Sequence, residues 1–315
     1  MRRIVIFILI CLVICSSCAR KRPHKDRVVH VTREEVESLK HANQPNTEKN
    51  TISIQSDPVE ELSSSYEMSR LSDNKDEQIL SRVGYTLSYN QQTKLAYWVG
   101  WHLTSEHTDG PYSRKGVPYY DEEGQAIGIG PVTAETLKGV YFLDITVKGK
   151  RQEFEDWASA KDYNMNHGHL CPAADNKWSK EAMNQSFLLT NMCPQDMKLN
   201  GGDWEKLEKK CRSWAKRYGD VFIVAGPVFY NGIRRTMGEN KVGVPDAFYK
   251  VVLCLQGEPK AIGFIYPNTD VHHEMKEYVK SVDEVEKITG INFFHNLQDD
   301  IENKIESESN LNIWR

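Results

Sequence analysis

The chain has 315 residues, 39% of them hydrophobic and 27% charged, with a formal net charge of -4 at pH 7. That apolar content can fill a substantial core, and the length suits one large domain with an appendage. The near-balanced charge excludes a global electrostatic footprint for nucleic acid, so any polyanion site must rest on local clusters of Lys and Arg.

Residues 1–18 read as an export signal. Arg2 and Arg3 precede an apolar run from Ile4 to Ile14, and Ser16 and Ser17 then lead to Cys18. The run is shorter than the roughly 20 residues that span a bilayer. The segment resembles a bacterial lipoprotein signal with Cys18 as the lipidated residue, although Cys15 stands where Leu is usual. This predicts an exported bacterial lipoprotein of the outer membrane or cell surface, held to the membrane by an N-terminal lipid anchor. Secretion or a periplasmic location is the alternative. Residues 19–77 are rich in Lys, Glu, Ser, Asn and Asp with no sustained apolar period, which predicts a flexible polar spacer. A marginal helix is expected there over Thr32–His41, with Thr32 as N-cap and Glu35 three residues on.

A folded domain is expected over residues 78–310. Two β-rich stretches, Tyr85 to Tyr89 and Leu95 to Leu103, flank the polar Asn90 to Thr93 and predict a hairpin. Further β-like runs are Val140 to Val147, Val221 to Val228, Phe248 to Leu255 and Ala261 to Tyr266. Several are too apolar for surface strands, which predicts a central sheet buried on both faces. Helical signals lie at Lys180 to Phe187, Asp203 to Tyr218 and Val282 to Thr289, the last closing on Gly290 as a C-cap. Strands and helices mix without regular alternation, so the expected class is α+β, or a layered α/β/α domain.

Residues 166–200 hold the densest set of hydrogen-bonding and metal-capable groups. In an extended segment His167 and His169 fall on the same side, with Gly168 between them free to let the backbone approach a ligand. Asp175, Asn176 and Asn191 follow, and Asn200 precedes Gly201, Gly202 and a helix that Asp203 could cap. An oxygen ligand such as the Asn200 carboxamide suits a hard cation that keeps most of its waters. In the helix, Trp204, Leu207, Cys211, Trp214 and Tyr218 recur at spacings of three and four and mark the core face. Glu208 and Arg212, four apart, share another face and could pair or address a phosphate together.

The segments NHGHLCPAAD, SFLLTNMCPQ and LNGGDWEKLE, with Arg212, resemble the DNA/RNA non-specific endonucleases, the ββα-metal nucleases. LSYNQQTKLAYWVGWHLT, VPDAFYKVVL and DEVEKITGINFF extend the resemblance over about residues 80 to 297. The resemblance implies a mainly antiparallel central sheet and a ββα-metal finger. It implies a metal-dependent hydrolase that cuts the phosphodiester bonds of DNA and RNA with little sequence specificity and leaves 5′-phosphates. His169 matches the general base and Asn200 the ligand of one Mg²⁺, with Mn²⁺ or another divalent cation the alternative. Glu208 matches a glutamate that orients metal-bound water, and Arg212 an arginine that contacts phosphate. Asn191 matches an asparagine that lines the site and supports the residues acting there, and Arg151 an arginine that stabilises transition-state charge. His167 stands at a substrate-binding position.

Two departures stand out, because the family usually reads Asp-Arg-Gly-His where this chain has Asn166-His167-Gly168-His169. Losing the aspartate weakens the expected hold on metal. Exchanging Arg for a shorter, titratable His predicts weaker and more pH-dependent phosphate binding. The competing reading is therefore a catalytically weakened surface protein that keeps the nuclease fold and binds nucleic acid. A basic track is expected from Lys177, Lys180, Arg234 and Arg235. HGHLC could also assemble a soft-metal set for zinc, and Cys171 with Cys193 is the first candidate disulfide in an oxidising exterior. The oligomeric state stays open, a homodimer among the arrangements.

Overall fold

A computed structural model describes residues 66–72, 77–113 and 141–315, with the backbone of 29–30, 116–120 and 126–131. Cys18 and the Thr32–His41 helix lie outside the described residues. In chain order the main elements are β1 (Gln78–Ser81), β2 (Thr86–Asn90), β3 (Leu95–Thr104), β4 (Met165–His169), α1 (Lys180–Gln185), β5 (Met192–Asp196), α2 (Glu205–Tyr218), β6 (Asp220–Val228), β7 (Ala247–Cys254), β8 (Lys260–Pro267), β9 (Val279–Lys280), α3 (Val282–Thr289) and α4 (Asp299–Glu306). Seven of the strands form one sheet in the order β9-β8-β7-β6-β3-β2-β1, every neighbour antiparallel. The remaining two, β4 and β5, make a separate antiparallel hairpin.

The predicted β2–β3 hairpin forms because Asn90 caps its own turn, its Oδ1 accepting from the amides of Gln92 and Thr93 at 2.9 and 3.3 Å. Each face of the sheet is covered. Leu207, Cys211 and Trp214 of α2 pack with Ile223, Phe248 and Phe264 on one side. Val282 and Val285 of α3 and Ile305 of α4 pack with Val224, Tyr249 and Val251 on the other. The result is the layered α/β/α arrangement with a buried central sheet, and it explains why every residue of β7 is buried. A capping box between Ser281 and Glu284 starts α3, and Gly290 at φ 69° ends it.

Two expectations differ from the structure. No strand forms over the described part of Val140 to Val147, beyond an isolated bridge from Phe142 to Leu188. The Asp144 carboxylate accepts from the Thr146 amide and hydroxyl, from Thr190 and from Arg82, and this local turn competes with an extended ladder. Residues 66–72, expected in the spacer, are joined to the domain. Arg70–Leu71 pairs with Ile291–Asn292 and Leu71 is buried.

Because α2 is held by its inner face, Leu207→Ala should cost about 2–5 kcal/mol of unfolding free energy. Lys209→Ala, on the solvent side in an exposed pair with Glu205, should change it by less than about 1 kcal/mol. Urea titrations of both variants check the contrast, and equal losses would contradict the packing described.

Candidate active site

The β4–β5 hairpin sets the first half of the site. His169 is opposite Met192 and His167 opposite Pro194, and strand alternation turns both histidines toward one cleft. Gly168 faces the other way, where any side chain would run into Gln195. The His169 ring stands edge-on to Phe187, centroids 5.1 Å apart, and its carbonyl accepts from the Trp204 indole at 3.3 Å. His167 is stacked between Tyr141 and Trp157, at 3.7 and 3.6 Å. Burial in that stack pushes its pKa down to about 3. The titratable cation expected at this position is therefore a neutral ring through the physiological range.

The second half comes from the turn that opens α2. Asp196 caps a short turn of helix at Met197–Leu199, accepting from the amides of Lys198 and Leu199. The chain then widens into a π-helical turn over Asn200–Trp204, with Gly202 at φ -119° and ψ -107°. Asp203 is not the cap expected from sequence. Its carboxylate accepts from Tyr278 Oη at 3.1 Å and Lys206 Nζ at 2.8 Å. The widened turn presents Asn200 to the cleft, and α2 follows with its apolar face inward, which brings Glu208 and Arg212 to the same opening.

The cleft measures about 760 Å³, and His169, Asn200, Glu208 and Arg212 all line it, as do Asn166 and His167. Glu208 and Arg212 do not pair with each other. Arg212 instead donates to Asp175 Oδ1 at 2.8 Å, and Trp101 Nε1 donates to the other oxygen at 3.1 Å. Burial raises Asp175 above the usual carboxylate range, and Arg212 opposes that. Burial also lifts Glu208 to about 7, against the pull of the Lys250 ammonium. Lys250 projects from β7 and is fully buried. Its Nζ lies 4.4 Å from the Trp204 ring and 5.2 Å from that of Trp101, with no hydrogen-bond partner among the described residues.

Other expected residues stand elsewhere. Asn191 is fully buried and behind the cleft wall. Its Oδ1 accepts from the Cys171 amide at 2.9 Å, and its Nδ2 donates to the carbonyls of Cys171 and Ser186, both at 2.8 Å. It clamps the chain leaving His169, a supporting position behind the cleft lining. Arg151 is paired with Glu153 at 2.9 Å and does not line the cleft. Of the expected basic track, Lys177 reaches the cleft, while Arg234 is held by Asp246. Cys171, Cys193, Cys211 and Cys254 are free and buried, so the Cys171–Cys193 disulfide is not formed. Burial pushes the Cys171 and Cys193 thiols up, and no zinc set involving His167, His169 and Cys171 assembles among the described residues. Sequence reasoning missed Lys250 and the Asp175–Arg212 pair. The signal for the first was a lone Lys inside the apolar run AFYKVVLC; for the second, residues 37 positions apart, there was none.

A family model for the DNA/RNA non-specific endonuclease matches residues 65–300. The mitochondrial nuclease EXOG of Xenopus laevis is 38% identical over 148 residues, 42% of this chain and 41% of that protein. The chain thus spans less than half of that relative. Nuclease C1 of Cunninghamella echinulata is 31% identical over 69% of this chain and 83% of its own. Among solved structures, a chain of the EndoG/EndoGI complex aligns with TM-score 0.61 and 20% identity, over 78% of this chain and 95% of that one, and shares the fold. These relatives correct one expectation. Those that carry a location in their names are mitochondrial nucleases, which overturns the bacterial lipoprotein placement. They lend no support to a membrane anchor or a homodimer. The family match takes in the hairpin, the widened turn and the helix that meet at this cleft, and the chain belongs to the DNA/RNA non-specific endonuclease family.

Proposed function

We propose that this chain is a divalent-metal-dependent endonuclease that hydrolyses phosphodiester bonds of DNA and RNA with little sequence preference. The observation that carries the reading is the convergence of His169, Asn200, Glu208 and Arg212, from three separate elements, on one cleft. Family membership supports it.

The residues divide the chemistry among them. His169 takes the proton from the attacking water, a task that suits an imidazole near neutral pH. Phe187 on its edge and Trp204 on its carbonyl restrict where it stands. Arg212 donates to a phosphate oxygen with the part of its guanidinium that Asp175 leaves open, since a planar fork has five donors. Glu208 accepts hydrogen bonds from water in the cleft. The donor set fits a hard cation, because Asn200 and Glu208 offer oxygen and the cysteine thiols stay buried away from the cleft. Mg²⁺, or Mn²⁺ in its place, would be held by Asn200 and would offset the charge that develops on the phosphate and the leaving 3′-oxygen. Backbone contacts carry little base information, so low sequence specificity goes with this reading, and departure of the 3′-oxygen would leave 5′-phosphate products.

One observation favours a weaker enzyme. His167 is neutral in its stack and Arg212 is shared with Asp175, which leaves Lys177 as the cleft lysine facing a phosphate without an ion-pair partner among the described residues.

With full-length protein, plasmid DNA and RNA should be cut in the presence of Mg²⁺ and spared with EDTA. His169→Ala should lower kcat by about 10²–10⁴-fold. Gel assays decide it: cleavage no faster than the His169→Ala background leaves only the binding-only reading.

The stacked, neutral His167 makes a second expectation. Its folded pKa near 3 lies below the working range, so it carries no charge from pH 5.5 to 8 and adds no pH dependence to KM there. His167→Phe should show the same KM profile over that range. His167→Arg should lower KM and steepen the salt dependence of binding by about one phosphate contact. An unchanged KM and salt slope in the Arg variant would show that no phosphate passes this position.

A further inference from the structure

On the face of the sheet away from the cleft, α3 and α4 bring carboxylates together. Asp283 and Glu286 lie one turn apart on α3, and Glu306 is the last residue of α4; one ligand oxygen from each falls within 4.8 Å of the others. Such clusters are common on surfaces, but Glu306 is not at the surface. It is 2% exposed, and its Oε1 is buried without a hydrogen-bond partner among the described residues. It also sits at the C-terminal end of α4, where the helix dipole repels a carboxylate. Glu286 is half-buried and accepts one bond from the Phe293 amide at 2.7 Å. No Lys, Arg or His among the described residues forms an ion pair with Asp283, Glu286, Glu302 or Glu306.

A buried, unpaired carboxylate beside two others is strongly unfavourable unless a proton or a cation neutralises it. Burial, then repulsion from the neighbouring acids, raises Glu286 to about 7 and Glu306 to about 9. The unpaired, buried Glu306 oxygen beside two further carboxylates leaves room for a cation among them. The geometry suits the metal: two ligands across a Ca²⁺ ion, each at about 2.3–2.6 Å, stand at most about 5 Å apart. The ligands are all oxygens, and they come from two helices that no ion pair among the described residues connects at this point.

We propose that Asp283, Glu286 and Glu306 form a binding site for a hard divalent cation of the calcium class, which staples α3 to α4 and is separate from the catalytic cleft. Glu302, one turn before Glu306 on α4, adds negative charge nearby. The ion joins the last turn of α4 to the helix that covers β7 and β8, so its effect is on stability and not on catalysis.

The test uses full-length protein and CaCl₂ alone, read by thermal unfolding. At about 5 mM CaCl₂, above the range of weak extracellular-type sites, the wild type should melt about 3–8 °C higher than in EDTA. Asn200→Ala, which removes the active-site ligand, should keep that increase. Glu306→Gln should lose it and, in EDTA, should melt at or above the wild type because a buried acid has been removed. Asp283→Asn, at an exposed position on α3, should lose most of it and guards against a core variant that fails to fold. No increase in the wild type overturns the proposal. So does an increase that persists in both carboxylate variants, or one that disappears in Asn200→Ala.

Discussion

The indole of Trp204 is the joint on which the geometry of the cleft depends. Fully buried, it packs against Phe248 and Tyr266 of the sheet. Its N–H donates to the carbonyl of His169. One side chain therefore couples three bodies: the β4–β5 hairpin, the turn that opens α2, and the central sheet. The widened turn at Asn200–Trp204 makes this contact available, since a regular helix through the same residues would rotate the indole relative to Asn200. That Asn200 and His169 line one cleft thus follows from packing against the central sheet.

Beneath the cleft lies a second constraint, this one electrostatic. Asp175 and Lys250 are buried, Glu208 and Arg212 line the cleft above them, and together they make two acids and two cations. Asp175 fixes Arg212 directly, and Lys250 acts across a short distance under two tryptophan rings. Charge balance inside the cluster keeps the burial cost of each member tolerable, whereas any one of them alone would be strongly destabilising. The same balance sets how readily Glu208 ionises, so β7, which gives no residue to the cleft lining, bears on the charge of α2.

Much of the fold was legible because its signals are local. The hairpin at Asn90, the capping box at Ser281 with Gly290 at the other end, and the three-four spacing of Trp204, Leu207, Cys211 and Trp214 each need only a few neighbouring residues to specify them. Failures came where a side chain overruled propensity. Val140 to Val147 has strand composition, but Asp144 turns the chain on itself by collecting four hydrogen bonds. Asp203 has the composition of a cap, yet Asp196 performs that role and Asp203 serves a distant tyrosine. The site divides in the same way. His169, Asn200, Glu208 and Arg212 were readable from ordered motifs, and all four line the cleft. Arg151 and Asn191 were matched by motif as well, and they stand beside or behind it.

By itself the sequence determined the class of fold, the two-faced burial of the sheet, and the residues capable of acid–base and metal chemistry, because periodicity and residue type are properties of short segments. Tertiary structure alone decided what each of those residues meets. His167 became a neutral ring because Tyr141 and Trp157 close on it from either side. Arg212 became half of an ion pair because Asp175 arrives from another element. Lys250 became a buried counter-charge because two tryptophans cover it. Burial and partnership depend on elements far apart in the chain, and charge in a protein interior is governed by those two quantities.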